Sequence, residues 1–509
     1  MLIRGPHFIS TLPRLIVIPL FLVTCGLYFL PEHHGDPTIF IVPFLKGKNL
    51  TEASSTFSAS VRHFWKDLAT ALIESQPLCK ALQLDGDAME LMINWRPLEP
   101  HQKHPDRIVG FTDADETALF RAHYNMRRAA QHLAPKLPFS KETMGIVTTA
   151  NSKYMPMFLV SLRMLRRTGC NLPLEVFIDD WTKYEPTTCD IILPSLNARC
   201  VVMSNIYDTA VDAKTPDHYQ YKVLAILFST FQHVLFLDSD AFPTYDPTVL
   251  LSTAPYTTHG LVTWPDFWAQ TISAHFYHIA AIPEVPSQAR LSSESGQLLL
   301  NKEIHRESLL MMVYYNYYGP DYYYKLLSQG SPGAGDKETF VQAALAVGLP
   351  YYQVRTPPLA IGRFVNGTYH GTGIAQADPR RDYAYLPPMR SHIHKNEHWQ
   401  DADLAYPDPV LEKALDRSLK APLTPRPVFI HQNGLKLDPA RVLHDKSMPT
   451  YELDGTPHRM WGSKEEMSKM VGYDLERGLW DVIVEEGCRE HQASRSCSEL
   501  KQHVREVFG

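Results

Sequence analysis

Glycine is scarce in this chain, 26 of 509 residues or about 5% against a typical ~7%, which excludes collagen-like and glycine-linker architectures. Charge of one sign is also missing. Forty-nine Lys and Arg against 55 Asp and Glu leave a net charge of −6, so there is no basic field to hold a nucleic-acid backbone, and no nucleic-acid partner is expected. The seven cysteines include no CxxC pair, which removes the usual spacing of a structural zinc site. No internal repeat or low-complexity tract is visible. What is plentiful is core-forming material: hydrophobic residues at 44% and aromatics at 11% rule out global disorder. Proline is also above average, 39 of 509 or about 8% against ~5%, so the loops are long but stiff. At ~150 residues per domain, the length suits two or three domain-sized pieces.

The longest uncharged apolar run, LIVIPLFLVTCGLYFL at 15–30, has sixteen residues, preceded by Arg4 and Arg14 and followed by Glu32 and Asp36. Sixteen lies just under the ~17–25 of a spanning helix and above the ~7–15 of a secretory signal core. No small-x-small cleavage site follows. The run therefore reads as an uncleaved signal anchor with residues 1–14 in the cytosol and the remainder translocated, a cleaved signal peptide being the alternative. With Cys25 inside the run, Cys79, Cys170, Cys189, Cys200, Cys488 and Cys497 remain, enough for up to three disulfides in an oxidising lumen. Cys488 and Cys497 enclose a short loop and are expected to pair. Sequons at Asn49 and Asn366 fit a lumenal body.

Composition and pattern divide the rest into a stem (31–55), a helical N-terminal extension (56–140), an α/β body (141–445) and a C-terminal extension (446–509). In the extension, Val61, Phe64, Trp65, Leu68 and Leu72 recur at helical spacing, and a second helix is expected after the acidic stretch Asp113–Glu116. From Met144 the pattern becomes strand–helix–strand: GIVTTAN, then MFLVSLRMLRR closed by Gly169, then LEVFIDD, ARCVVMS, YKVLAILFSTF and HVLFLDSD. Such alternation predicts a mostly parallel sheet with helices on both faces and a site beyond the strands' carboxyl ends.

There the acidic residues gather. Asp238 and Asp240 follow the apolar run HVLFL, and two hard oxygen donors with open positions suit Mg²⁺ or Mn²⁺ bound to phosphates. A loop-capping acidic pair would look the same. An aspartyl-nucleophile phosphatase is disfavoured by Phe242, which stands where that chemistry usually has Thr or Val. Asp336, in GDKETF ahead of the helix FVQAALAVG, has the type and place of an N-cap. Glu294-Ser-Gly-Gln297 reads as a turn before the strand QLLLN, where glycine lets backbone approach a ligand. Trp264, Asp266 and Trp268 are candidates for stacking on an acceptor sugar, whereas the tyrosine run at 314–324 reads mainly as core.

Four segments in order, YQYKVLAILFSTFQHVLFLDSDAFP, ESGQLLLNKEIHRESLLM, GDKETF and VFIHQNGLK, resemble the fungal Golgi α-mannosyltransferases of glycosyltransferase family 71 over about residues 140–445. The family usually has Ala where this chain has Ser239. The resemblance implies a GT-A-like fold behind a transmembrane anchor: a single-pass type II Golgi protein with its catalytic domain in the lumen. It implies transfer of mannose from GDP-mannose to mannose of glycoprotein glycans, with retention, α-1,2 favoured over α-1,3, in possible complexes with other Golgi transferases. Asp238, Asp240 and His431 would hold Mn²⁺. Asp336, Glu338 and Gln297 would act on the donor sugar, with Glu294 an alternative. Thr148, Ala150, Tyr219, Lys222, Ser239 and Lys436 would bind the donor, and Trp264, Asp266 and Trp268 the acceptor. A metal-dependent UDP-hexose transferase and a non-catalytic mannan-binding subunit remain the rival expectations.

Overall fold

A computed structural model describes residues 49–86, 103–287, 289–384, 426–443, 450–490 and 492–509. The chain divides at residue 40, and every described residue belongs to the unit Ile41–Gly509. The anchor at 15–30, the cytosolic tail and most of the stem lie outside the described residues. Among the described residues, no helix is long and apolar enough to cross a membrane.

The first helix, α1 (Asn49–Glu74), starts inside the stretch expected to be a stem. Nothing between Asn49 and Glu74 is Pro or Gly, so no breaker stops the helix from extending back. In α2 (Asp113–Leu133) the acidic stretch does not precede the helix but forms its first turn. Thr112 and Asp115 make a reciprocal capping box there (Asp115 N to Thr112 Oγ1 3.2 Å, Thr112 N to Asp115 Oδ2 3.0 Å), and the negative charges suit the helix's positive end. Both helices pack onto the body. Trp65 Nε1 donates to the carbonyl of Tyr207 (3.0 Å), and the hydroxyls of Tyr314 and Tyr318 donate to the carbonyls of Ser75 and Leu72. The tyrosine run is thus core, as its pattern suggested.

The body is built on seven strands. In chain order these are β1 (Ser140–Thr149), β2 (Leu174–Ile178), β3 (Ala198–Val202), β4 (Phe231–Leu237), then β6 (Leu261–Ala269), β7 (Leu291–Asn301) and β8 (Tyr352–Gln353), with the short β5 (Ala241–Pro243) diverted elsewhere. The spatial order is β8-β6-β7-β4-β1-β2-β3. Only β7 runs antiparallel to its neighbours, so the sheet is mixed. Along β4, Val234 and Phe236 face one core and Leu235 and Leu237 the other. That two-sided burial is why the strand reads as an unbroken apolar run. Helix α3 (Met155–Arg167) covers the second face; α4 (Gln220–Phe228), α5 (Ala274–Ala280), α6 (Arg306–Tyr317) and α7 (Thr339–Val347) serve the first. Gly169, after α3, takes φ +88°, the left-handed exit expected of a glycine there.

A second sheet was not foreseen. It has four antiparallel strands in the order β9-β10-β11-β5, where β9 is Leu359–Val365, β10 Thr368–Ala377 and β11 Pro427–His431. The C-terminal helices α8 (Lys464–Val471), α9 (Leu475–Gly487) and α10 (Arg495–Phe508) share a core with it through Phe242, Ile430, Leu479 and Trp480. Arg163 of α3 ties α9 to the body through Glu485 (2.6 Å) and Glu486. The expected Cys488–Cys497 disulfide is present, and Cys189 pairs with Cys200. Cys79 and Cys170 are unpaired thiols, so two bridges form among the described residues rather than three.

Candidate active site

The two sheets meet at Asp238-Ser239-Asp240. β4 ends at Leu237 in the large sheet and β5 begins at Ala241 in the small one, so the acidic triplet is the hinge between layers. Its backbone is pinned on three sides: Asp238 N donates to Gly296 O (2.8 Å), Ala241 N to Asp238 O (3.0 Å) and Gln432 N to Asp240 O (2.9 Å). In the small sheet Ala241 lies opposite His431, and strand register therefore delivers the imidazole beside Asp240. His431 Nε2 stands 3.2 Å from Asp240 Oδ1 and 3.9 Å from Asp238 Oδ2. One ligand atom from each of Asp238, Asp240 and His431 lies within 4.8 Å of the others. The three residues named from sequence as a metal set converge.

The surroundings are charged and largely buried. Lys222 Nζ lies 3.3 Å from both Asp238 and Asp336 and donates to the carbonyl (2.7 Å) and hydroxyl (2.9 Å) of Ser295. Lys436 contacts Asp240, which makes it a site residue even though its side chain is 42% exposed. Glu294 accepts from His431 Nδ1 (3.0 Å) and Gly296 N (2.6 Å), and from the Gln297 amide. Burial pushes the Asp240 carboxyl up, but His431 and Lys436 beside it outweigh that and hold it below the usual carboxylate range. Asp238 moves the other way, raised by burial despite Lys222. Burial disfavours the charged form of Lys222, yet Asp238, Asp336 and Glu294 raise its pKa. His431 follows the same logic: burial opposes charge, and Glu294 and Asp240 overcome it.

These contacts show whether a divalent ion fits. Asp238, Asp240, Glu294 and Asp336 face two ammonium groups, Lys222 and Lys436, and the balance with neutral imidazole is two negative charges. A proton on His431 offsets one of them. A divalent ion on two carboxylates and an imidazole would offset both, and that donor set is one that Mn²⁺ accepts. The site fits a divalent cation.

Asp336 belongs to the site, though not as the helix cap expected. The N-terminus of α7 has Glu338 in the cap position, its side chain making no capping bond. The Asp336 carboxylate instead accepts from Ser295 Oγ (3.1 Å) and pairs with Lys222. Two other proposed catalytic groups are held in buried contacts. Glu338 is 1% exposed, paired with Arg290 (2.6 Å) and accepting from Ser293 N (2.7 Å). Its carboxylate is a strut between β7 and the start of α7. Gln297 is fully buried, and its amide donates to Glu294. Nor do Glu294–Gln297 form a turn before the strand; they lie within β7.

Of the donor candidates, Ser239 is buried between the aspartates, and Thr148 and Ala150 are buried at the end of β1. Tyr219 is 52% exposed and meets Tyr324 edge-on at 6.1 Å. Gly335, at φ +144°, lies so close to the Tyr219 ring that a Cβ there would stand 2.9 Å from it, so the Gly335–Asp336 loop and Tyr219 share one wall. The acceptor candidates separate. Trp264 is fully buried, packed edge-on against Phe429 (5.4 Å) with Nε1 donating to Ala377 O (2.8 Å). It cannot stack on a sugar and is core. Asp266 is mostly buried and paired with Lys337 (3.2 Å), and Trp268 is half-buried. Ser295, which bridges Lys222 and Asp336, was not singled out in advance.

A family model described as a mannosyltransferase matches residues 143–290 and 284–378. The α-1,2-mannosyltransferase MNN21 of Candida albicans is 31% identical over 459 residues, covering 79% of this chain and 67% of the relative. MNN2 of Saccharomyces cerevisiae, also an α-1,2-mannosyltransferase, is 32% identical over 454 residues, 80% of this chain and 75% of the relative. The chain belongs to this fungal mannosyltransferase family. Its match to a third member, MNN24 of Candida albicans, is 34% identical and spans about half of that relative (52%). As a member of the family it is a glycosyltransferase, and Asp238, Asp240 and Asp336 all fall within the matched segments; His431 lies beyond them. Among solved structures, the galactosyltransferase LgtC in complex with donor and acceptor sugar analogues aligns with 65% of this chain and 95% of its own, at 14% identity and a TM-score of 0.30, a loose likeness.

Proposed function

We propose that this mannosyltransferase transfers mannose from GDP-mannose to a mannose hydroxyl of a glycoprotein glycan, forming an α-1,2 linkage with retention. We further propose that it does so as a Golgi type II membrane protein with a GT-A-like catalytic body. The observation that carries the reading is the convergence of Asp238, Asp240 and His431 at the junction of two sheets, in a chain whose relatives are named α-1,2-mannosyltransferases. Asp238, Asp240 and His431 would hold Mn²⁺, which when bound neutralises charge on the departing diphosphate. Glu294 takes the Nδ1–H of His431 and so turns the lone pair of Nε2 toward the aspartates. Lys436, half out of the protein beside Asp240, faces the diphosphate. Lys222 draws Asp238 and Asp336 together and keeps both ionised side chains in one place. Asp336 accepts hydrogen bonds from the sugar's hydroxyls and stabilises positive charge at the anomeric carbon. Tyr219 offers an exposed ring to the base, and Asp266 with Trp268 lies toward the acceptor. The sequon at Asn366 sits in an exposed turn between β9 and β10, an accessible place for a glycan; Asn49 opens α1.

A donor panel with the purified protein and a mannose-terminated acceptor, followed by linkage analysis, tests this reading. GDP-mannose as sole efficient donor and an α-1,2-linked product are expected. Preference for a UDP-hexose, or an α-1,3 product, overturns the donor or linkage assignment respectively.

A further inference from the structure

Away from the active site, a second trio of metal-binding side chains stands between the N-terminal extension and the body. Glu116, in the first turn of α2, receives two imidazoles from α5. His278 Nδ1 lies 3.1 Å from Glu116 Oε1, and His275 Nδ1 lies 3.3 Å from Glu116 Oε2. One ligand atom from each residue lies within 4.8 Å of the other two. The two histidines are three residues apart on a helix, which puts them on one face. The ring of Phe111 meets His275 edge-on at 4.8 Å and limits its rotation. The side chains of Glu116, His275 and His278 are 23%, 30% and 68% exposed, so an ion has a path in and water can complete its shell.

We propose that Glu116, His275 and His278 form a binding site for a transition-metal dication, Zn²⁺ being the best match, which joins α2 to α5. Zn–N and Zn–O bonds of ~2.0–2.1 Å in a tetrahedron put neighbouring ligand atoms about 3.3 Å apart. Each imidazole nitrogen already stands at about that distance from one oxygen of Glu116, His278 from Oε1 and His275 from Oε2. Two imidazoles with one carboxylate favour Zn²⁺ over Mg²⁺ or Ca²⁺, which prefer all-oxygen shells. In the ion-free protein each Nδ1–H donates to the carboxylate; on binding, the rings present Nδ1 lone pairs and keep Nε2–H toward solvent. The role is structural. The ion would replace two hydrogen bonds by a three-point clamp holding the N-terminal helices to the catalytic body.

The full-length protein carrying D238A and D240A, stripped with EDTA, isolates this site from the catalytic one. Zn²⁺ titrated against a competing chromophoric chelator should show one tight equivalent, and Zn²⁺ should raise the melting temperature. Adding H275A and H278A should remove both the equivalent and the rise. The single variant H278Q, at the most exposed ligand, should weaken binding at least tenfold and covers the case in which the double change fails to fold. Equal Zn²⁺ stoichiometry and equal thermal shift with and without the histidines would overturn the proposal, as would no tight Zn²⁺ at all.

Discussion

The site is crowded enough that single atoms decide its geometry. Gly296 crosses directly under His431: a Cβ on it would stand 2.4 Å from His431 Nδ1 and 2.8 Å from Glu294 Oε1, closer than real contacts permit. G296A should therefore displace the imidazole and lose most of the activity while circular dichroism stays that of the parent; activity within twofold of the parent would show that His431 can sit elsewhere. Glu294 acts one bond further out. E294Q should keep the fold, weaken the metal requirement's half-saturation and lower turnover by about 10–100-fold, the usual cost of removing a support behind a metal-bound histidine. Unchanged Mn²⁺ dependence would count against that role. Asp238 and Asp240 were legible in the sequence because an apolar strand ends on them. Glu294 was legible as a polar residue near glycine and as an alternative to Gln297 at the donor sugar, not as the partner of His431. The β6–β7 register slips between Val262 and Trp264, and this break in alternation lets Glu294, Ser295 and Gly296 serve one site, which a period of two does not anticipate.

At the level of elements, β6, β8 and α5 gave no clear signal, but β1 to β4, part of β7 and the helices α3, α4 and α7 followed from apolar runs and their lengths. The small sheet did not. β9 alternates burial with exposure over seven residues, β10 is exposed over its first four residues and buried over its last six, and β5 has three residues, so none of them gives a strong pattern. Yet this sheet supplies His431, and its pairing of Ala241 with His431 is what completes the metal set. Aromatic content misled in the opposite sense at Trp264, where an aromatic-rich stretch suggested a sugar platform and the strand buries the ring against Phe429. W264F should lower stability by roughly 1–2 kcal/mol through the lost bond to Ala377 O and leave the acceptor KM unchanged. A several-fold rise in acceptor KM without loss of stability would restore the tryptophan to the acceptor site. Asp336 read in the sequence both as a helix cap and as a carboxylate over the donor sugar; its side chain turns from the helix end toward Lys222.

Across the whole molecule, the C-terminal helices are bound into the body, and one buried acid there makes stability depend on pH. Glu476 is fully buried, accepting from Met460 N (2.5 Å) and Trp461 N (3.0 Å), and burial raises its pKa from 4.5 to about 7. The native protein therefore holds a proton there that the unfolded chain releases above about pH 4.5. Its favourable effect is complete at lower pH and is lost as pH rises through the window from about 4.5 to 7. Urea unfolding of parent and E476Q across that window should show the difference between them shift by up to roughly 3 kcal/mol in favour of E476Q as pH rises; a constant difference would mean that Glu476 is ionised in the fold throughout. The hinge between the sheets is probed by calorimetry of GDP binding. Binding should require Mn²⁺ in the parent protein and disappear in D240A even with Mn²⁺ present. GDP bound equally well in EDTA, or equally well by a folded D240A protein, would contradict the account.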